Sequence, residues 1–426
     1  MSQPSRPATT DRKRLFANMA SLFTLQGANY LLPLIIVPYL VRVLGPENFG
    51  RVAFAQAFIQ YFVVMTDYGF NLSATRTVAL VRDDPEKLSN LFSAVMIVKT
   101  ALMALGFGIM LLIVLLVPSF AKNWSLYTLV YLIVLGNVLF PTWLFQGLER
   151  MRHITIFTIL ARMLSVIAII ALVHKQSDYL LAAALQASGM VIAGLLALVS
   201  LTRLAPLRLQ WPGVVQLREV VVDSWHLFVY NSVTTIYANT NIFFLGILTN
   251  PVAVGYFSAA DKIVQAVRGL VGPISQAVYP HITLLKSRSD GDALVFIRTL
   301  LRLQGAAMFA LSLALFLFAV PIVGVLLGNQ FQESVILVKW MAVLPFILGL
   351  SNVLGIQTML IFGMKKNLSH IYLTTSIFSI FLLVLLIYWF GAQGAAISVV
   401  ISEIVLLARM AMTLANNGLL KKIADL

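Results

Sequence analysis

Apolar stretches of about twenty residues, each carrying little charge, recur along this whole chain, and that repetition constrains its fold more than any other feature. A helix rises about 1.5 Å per residue, so about twenty residues cross the roughly 30 Å hydrocarbon layer of a bilayer. Of 426 residues, 60% are hydrophobic and 11% charged, against about 25% charged in soluble domains. Such a chain lacks the polar surface to cover itself in water. In lipid its outer surface can be apolar, provided each segment satisfies its own backbone, as helices do. The expected fold is an all-α polytopic membrane protein. About twelve spans are predicted, at residues 16–41, 49–71, 90–117, 124–147, 154–173, 178–201, 225–248, 252–279, 299–327, 334–362, 368–390 and 393–415.

The net charge of +14 gains meaning once the spans are placed. With the N-terminus assigned to the cytoplasm, segments on that side collect twenty of the thirty Lys and Arg residues, among them Arg12, Lys13, Arg14, Arg203, Lys286 and Lys365. The opposite side holds four, Arg42, Arg51, Lys122 and Lys175. This asymmetry sets both termini inside and supports an even number of spans. The first apolar stretch is long and contains Pro33 and Pro38, so it reads as a retained span rather than a signal peptide. No long basic run is interleaved with aromatics, which sets nucleic acid aside as a partner. Cysteine is absent and the five His residues lie at or near span ends without pairing, so no metal site, thiolate chemistry or cofactor is expected.

The chain also looks duplicated. Leu44-Gly45-Pro46-Glu47-Asn48-Phe49-Gly50 opens the second span, and Leu248-Thr249-Asn250-Pro251-Val252-Ala253-Val254-Gly255 opens the eighth. Pro46 and Pro251, like Gly50 and Gly255, are 205 residues apart. Six spans per half make the halves parallel repeats about an axis along the membrane normal. The expected organisation is a cytoplasmic tail at 1–15, a six-helix bundle at 16–205, a cytoplasmic connector at 206–224, a second six-helix bundle at 225–415, and a cytoplasmic tail at 416–426, with a central cavity between the bundles. No loop is long enough for a large extramembrane domain.

Polar groups are expensive in hydrocarbon, so their positions are informative. They gather in the first, second, seventh and eighth spans. Asn29, Gln56, Gln60 and Asp67 lie in one half, Asn231, Asp261, Lys262, Gln265 and Arg268 in the other. Asp261, Gln265 and Arg268 are spaced i, i+4, i+7 and share a helix face. Four further cations fall inside spans. Lys99 and Arg162 lie deep enough for cavity exposure or snorkelling, whereas Lys339 and Arg409 lie near span ends, where long side chains snorkel to the interface. Asp67 can pair with Arg76 at a cytoplasmic mouth, and the Asn and Thr residues of the seventh span can serve as helix–helix glue. Pro33 in the first span and Gly269, Gly272 and Pro273 in the eighth interrupt helices that belong to the polar set. Pro33 and Pro273 are therefore candidate hinges.

Asn29-Tyr30-Leu31-Leu32-Pro33, Pro38-Tyr39-Leu40-Val41-Arg42-Val43-Leu44-Gly45 and Phe49-Gly50 resemble the opening of Wzx-type polysaccharide repeat-unit flippases. So do Asp67-Tyr68-Gly69-Phe70-Asn71-Leu72-Ser73-Ala74-Thr75-Arg76 and Trp143-Leu144-Phe145-Gln146-Gly147-Leu148-Glu149. The resemblance is specific through about residue 150. It implies the multidrug/oligosaccharidyl-lipid/polysaccharide exporter fold. It also implies an undecaprenyl-diphosphate-linked oligosaccharide as substrate, moved from the cytoplasmic to the periplasmic leaflet of a bacterial inner membrane for O-antigen or a related polysaccharide. Proton or sodium coupling, membrane lipids, a polysaccharide polymerase and a chain-length regulator are the further partners it implies. A diphosphate calls for cations, for which Arg268, Lys262, Lys99 and Arg162 are the candidates. Sugar hydroxyls call for amides, which Asn29, Gln56, Gln60 and Asn231 supply. Asp67 and Asp261 are candidate ion-coupling carboxylates.

Three rival readings fit the residues less well. A cation-coupled drug antiporter of the same fold would want an acidic cavity, but the deep charges lean basic. A membrane-embedded glycosyl or acyl transferase would need a carboxylate or His constellation, and none is seen. A purely structural subunit does not account for so many polar groups inside spans.

Overall fold

A computed structural model describes residues 8–204 and 207–425, with side chains described at 35–203, 207–229, 232 and 240–423. Every regular element among these residues is helical. The order is α1 (Ala8–Asp67), α2 (Phe70–Val81), α3 (Pro85–Leu116), α4 (Pro118–Ala121), α5 (Trp124–Val130), α6 (Leu132–Leu139), α7 (Thr142–Gly147), α8 (Met151–Leu172) and α9 (Tyr179–Leu204). It continues with α10 (Val214–Leu248), α11 (Pro251–Arg268), α12 (Val271–Arg288), α13 (Asp290–Leu317), α14 (Ala319–Leu326), α15 (Glu333–Met341) and α16 (Leu344–Asn352). A π-helical segment (Val353–Leu360), α17 (Lys365–Asn416) and α18 (Leu419–Asp425) complete it.

Eight described stretches are long and apolar enough to cross a membrane, running from Ile35–Val81 to Lys365–Asn416. Two of them, of 47 and 52 residues, are too long for one crossing. Each is broken at a glycine: α1 at Gly45 (φ 71°, ψ 173°) and α17 at Gly391 (φ 53°, ψ −129°). Those backbone regions are open to glycine and strained for other residues. The predicted spans 368–390 and 393–415 are thus one helical run divided at Gly391. The predicted spans 225–248 and 252–279 are helical as well.

The proline breaks fall differently from expectation. Helix α1 continues through Pro33 and Pro38 and leaves helical geometry at Gly45. Between α11 and α12 the interruption lies at Gly269–Leu270, and Pro273 sits in the first turn of α12. A proline there forgoes an N–H that would have no intrahelical acceptor.

Contacts divide the chain into two units. The first holds the described residues through Leu32 together with Ala55–Asn239. Its core is aromatic: Phe70, Trp143, Leu144 and Phe145 are fully buried, and Phe92 packs against Trp143. Asp84 caps α3 by accepting from the backbone N–H groups of Glu86 and Lys87 at 3.2 and 3.1 Å. The bond from Lys87 N–H is the chief reason its carboxyl sits below the usual carboxylate range.

The second unit joins Pro33–Phe54 to Thr240 and everything after it. The expected bundle at 16–205 is thus divided, with 33–54 packing in the second unit, and close backbone contacts account for it. A side chain at Gly50 would strike the carbonyl of Pro251, and one at Gly255 would strike the carbonyl of Pro46. The two equivalent Pro/Gly turns therefore pack reciprocally, backbone on backbone. Nearby, Phe49 meets Phe331 edge-on at 6.4 Å, and Arg42 donates to the Val325 carbonyl.

Candidate functional site

In the first unit, a polar network joins the ends of α1, α2, α6 and α7 to the middle of α3. Lys99 projects from the middle of α3 and is 1% exposed. An ammonium ion at that depth must be paired. Its Nζ lies 3.2 Å from Asp67 Oδ1, 3.2 Å from Asn137 Oδ1 and 3.3 Å from the Asn137 carbonyl. The other carboxylate oxygen of Asp67 accepts from Asn71 at 2.9 Å, and Asn71 accepts from Thr142 at 2.9 Å. Asp67 thus pairs with Lys99 rather than with Arg76, whose side chain is exposed. A residue proposed for diphosphate and one proposed for ion coupling prove to be partners.

Gln56 donates to Gln186 of α9 at 3.2 Å, while Gln60, one turn later, is half-buried. Arg162 of α8 is likewise half-buried. A polar cavity of about 250 Å³ opens where α2 and α3 meet the start of α10, lined by Ser73, Thr77, Lys87, Asn90, Glu219 and Asp223 among others. Ser73 and Ser224 bridge its wall at 2.7 Å.

In the second unit, the predicted stripe on α11 is realised. Gln265 donates to Asp261 Oδ2 at 2.8 Å, and Arg268 lies 3.6 Å from Asp261 Oδ1. Asp261 is the more enclosed, at 13% exposure against 30% for Arg268. Lys262, one residue on, points to another face and is exposed. The guanidinium turns toward its carboxylate while the side chain stays part-exposed, and a guanidinium has more donors than one carboxylate contact uses. Arg409, expected to snorkel, instead donates to Thr374 and, at 3.3 Å, to Thr375. Lys339 lies over the Phe316 ring at 5.9 Å. Asn29, Pro33 and Asn231 belong to the candidates too, and their side chains lie outside the described residues.

Sequence reasoning passed over several polar residues that the structure makes prominent. Asn137 closes the Lys99 pair from within the run Val134-Leu135-Gly136-Asn137-Val138-Leu139. An amide isolated in so apolar a run was the available signal. Gln304 of α13 donates to the Gly349 carbonyl at 2.9 Å, and Gln357 of the π segment donates to the Ser275 carbonyl and hydroxyl at 3.1 and 2.8 Å. Glu403, at 8% exposure, is a carboxylate buried near the middle of the second arm of α17.

Known proteins complete the picture. Residues 15–286 match the profile of a family described as polysaccharide biosynthesis protein. A protein of Escherichia coli strain K12, described as a candidate O-antigen transporter, is 36% identical over 419 residues, which is 96% of this chain and 99% of the relative. A protein of Shigella dysenteriae with the same description is 30% identical over 403 residues, covering 92% and 98%. The fold is similar to that of the lipid II flippase MurJ (TM-score 0.70, 12% identity, 96% and 90% covered). It is similar also to that of an inward-facing multidrug resistance MATE transporter of the MOP superfamily (TM-score 0.69, 15% identity, 95% and 99% covered). With its family profile, its full-length relatives and its helical architecture in agreement, the chain belongs to the polysaccharide biosynthesis protein family and is a multi-pass bacterial membrane transporter, not an enzyme.

Proposed function

We propose that this protein is a flippase. It carries an oligosaccharide repeat unit on undecaprenyl diphosphate, destined for O-antigen or a related surface polysaccharide, from the cytoplasmic to the periplasmic leaflet of the inner membrane. The single observation carrying this reading is the 36% identity to the Escherichia coli relative over nearly all of both chains. The chemistry of the spans supports it. Arg268 is accessible and already oriented by Asp261, and a guanidinium recognises phosphate oxygens in pairs. Lys262 and Arg162 add positive charge, while Gln56 and Gln60 offer amides suited to sugar hydroxyls. Lys99, enclosed by Asp67 and Asn137, holds the first unit's polar network in register rather than meeting the substrate. The polyprenyl tail stays in lipid, since apolar chains gain nothing from a polar path. Movement by alternating access, driven by an ion gradient, completes the proposal.

Translocation is tested in proteoliposomes with a lipid-linked oligosaccharide whose sugar is accessible to a glycosidase only in the outer leaflet. The wild-type protein is expected to enrich the sugar in one leaflet when an ion gradient is imposed. Arg268→Ala is expected to slow this by about tenfold or more, the effect of losing one charge-assisted contact. Failure of the wild type to move any lipid-linked sugar would overturn the reading. Wild-type rates in Arg268→Ala would remove the proposed diphosphate site.

A further inference from the structure

The second unit contains a group of buried oxygens whose hydrogen bonding is incomplete. Gln304 Oε1, Ser351 Oγ, Asn352 Oδ1 and Gln357 Oε1 are all buried and have no hydrogen-bond partner among the described residues. Gln304 and Gln357 are 4% and 0% exposed. Buried polar atoms are nearly always paired, so four such atoms in one region call for an explanation.

Their positions are related. Gln304 directs its amide nitrogen to the carbonyl of Gly349, one helical turn before Asn352. Asn352 is the last residue of α16 and leads directly into the π segment Val353–Leu360. Gln357 lies five residues further on, one turn of a π-helix, where i and i+5 share a face. It directs its own nitrogen away, to the Ser275 carbonyl and hydroxyl. Both glutamines thus have their donors anchored on another helix, which fixes the amide orientation and leaves the acceptor oxygen over. Thr358 donates to the Val353 carbonyl at 2.8 Å, holding the wide turn in place. π-Turns of this kind recur at functional sites.

The chemistry of this set selects its ligand. Amide carbonyls are hard oxygen donors, the type preferred by alkali and alkaline-earth cations. The set carries no formal charge, so it does not offset the desolvation of a divalent ion, whose solvation cost rises with the square of its charge. Asn and Gln do not titrate in the physiological range, so these residues cannot themselves carry a coupling proton. We infer that Gln304, Asn352 and Gln357 form a sodium site at the junction of α16 and the π segment. This inference rests on the flippase reading only in assigning the ion to coupling; the site itself is a separate matter.

The test is thermal unfolding of the purified protein in detergent, at constant ionic strength, with sodium, potassium or choline chloride. Sodium between 1 and 150 mM, concentrations chosen for the titration, is expected to raise Tm by about 4 °C, as ligand linkage to the folded state requires. Choline is expected to have no effect and potassium less than sodium. Asn352→Leu removes one oxygen and is expected to abolish the sodium shift. Asn352→Asp keeps the oxygen and adds a negative charge, so its sodium midpoint is expected to fall about tenfold or more. The same Tm in all three salts, or a sodium response identical to wild type in both variants, would overturn the site. Because no sugar enters this measurement, a sodium shift without lipid translocation would sink the flippase reading and leave the site. Translocation without any sodium shift would do the reverse.

Discussion

Lys99 and Asp67 show what a single buried charge does in this protein. The ammonium is 1% exposed and is satisfied by one carboxylate and both oxygens of Asn137. Removing one member of such a pair strands the other in a medium that solvates it poorly, whereas removing both can be nearly neutral. Asp67 itself is 26% exposed, so water can reach it when Lys99 is lost. Two different losses follow. Asp67→Asn leaves Lys99 enclosed and uncompensated, and is expected to destabilise the protein by about 3 kcal/mol or more. Lys99→Met leaves a carboxylate that can hydrate, and is expected to be milder, by about 1–2 kcal/mol. The double variant should lose less than the sum of the two, a coupling that a double-mutant cycle in chemical unfolding would read directly. Additive losses would mean that the pair has no energetic coupling, whatever its geometry.

At the level of elements, glycine sets where helices break and how closely they cross. Gly391 divides α17 at φ 53°, so Gly391→Ala is expected to cost about 1–3 kcal/mol through backbone strain alone. The reciprocal contact of Gly50 with Pro251 and of Gly255 with Pro46 is a different constraint, one of space. Gly50→Val and Gly255→Val are each expected to lower the yield of folded protein severely, because backbone, not a flexible side chain, stands in the way. Gly108→Val is the control: nothing lies within 4 Å of a Cβ there, and its yield should match wild type. Size-exclusion profiles of the three variants decide the matter. These elements also show which features the sequence reveals. The α11 stripe of Asp261, Gln265 and Arg268 was legible because helical period alone fixes a shared face. The Pro46/Pro251 echo was legible because both turns kept their residues. The partner of Asp67 was not, since Lys99 is on another helix and period says nothing about which helices meet. Gln304 and Gln357 are on different helical elements with no spacing that relates them, and the π winding that separates Asn352 from Gln357 by a full turn leaves no mark in the pattern of apolar residues. The break of α1 falls at Gly45 rather than Pro33, because φ 71° is open to glycine.

At the scale of the whole molecule, positive charge is unevenly distributed along the chain. Basic residues cluster at alternate helix ends: Lys286 and Arg288 lie in the last turn of α12, and Lys365 and Lys366 open α17, whereas Lys122 and Lys175 stand nearly alone in their loops. Loops rich in Lys and Arg resist translocation, so this alternation predicts the orientation of each helix in turn. The prediction is that Ser287 faces the cytoplasm and that Lys122 and Lys175 face the periplasm; all three side chains are exposed. The chain contains no cysteine, so single substitutions report without background. In intact cells with a permeabilised outer membrane, a membrane-impermeant maleimide should label Lys122→Cys and Lys175→Cys. Ser287→Cys should be labelled only after the inner membrane is opened. Labelling of Ser287→Cys in intact cells would invert the topology, placing the polar cavity between α2, α3 and α10 on the periplasmic side. A flippase that loads its substrate from the cytoplasmic leaflet could not then take it up through that opening. The basic loops would have crossed against the charge rule, and the direction of transport proposed here would have to be reversed.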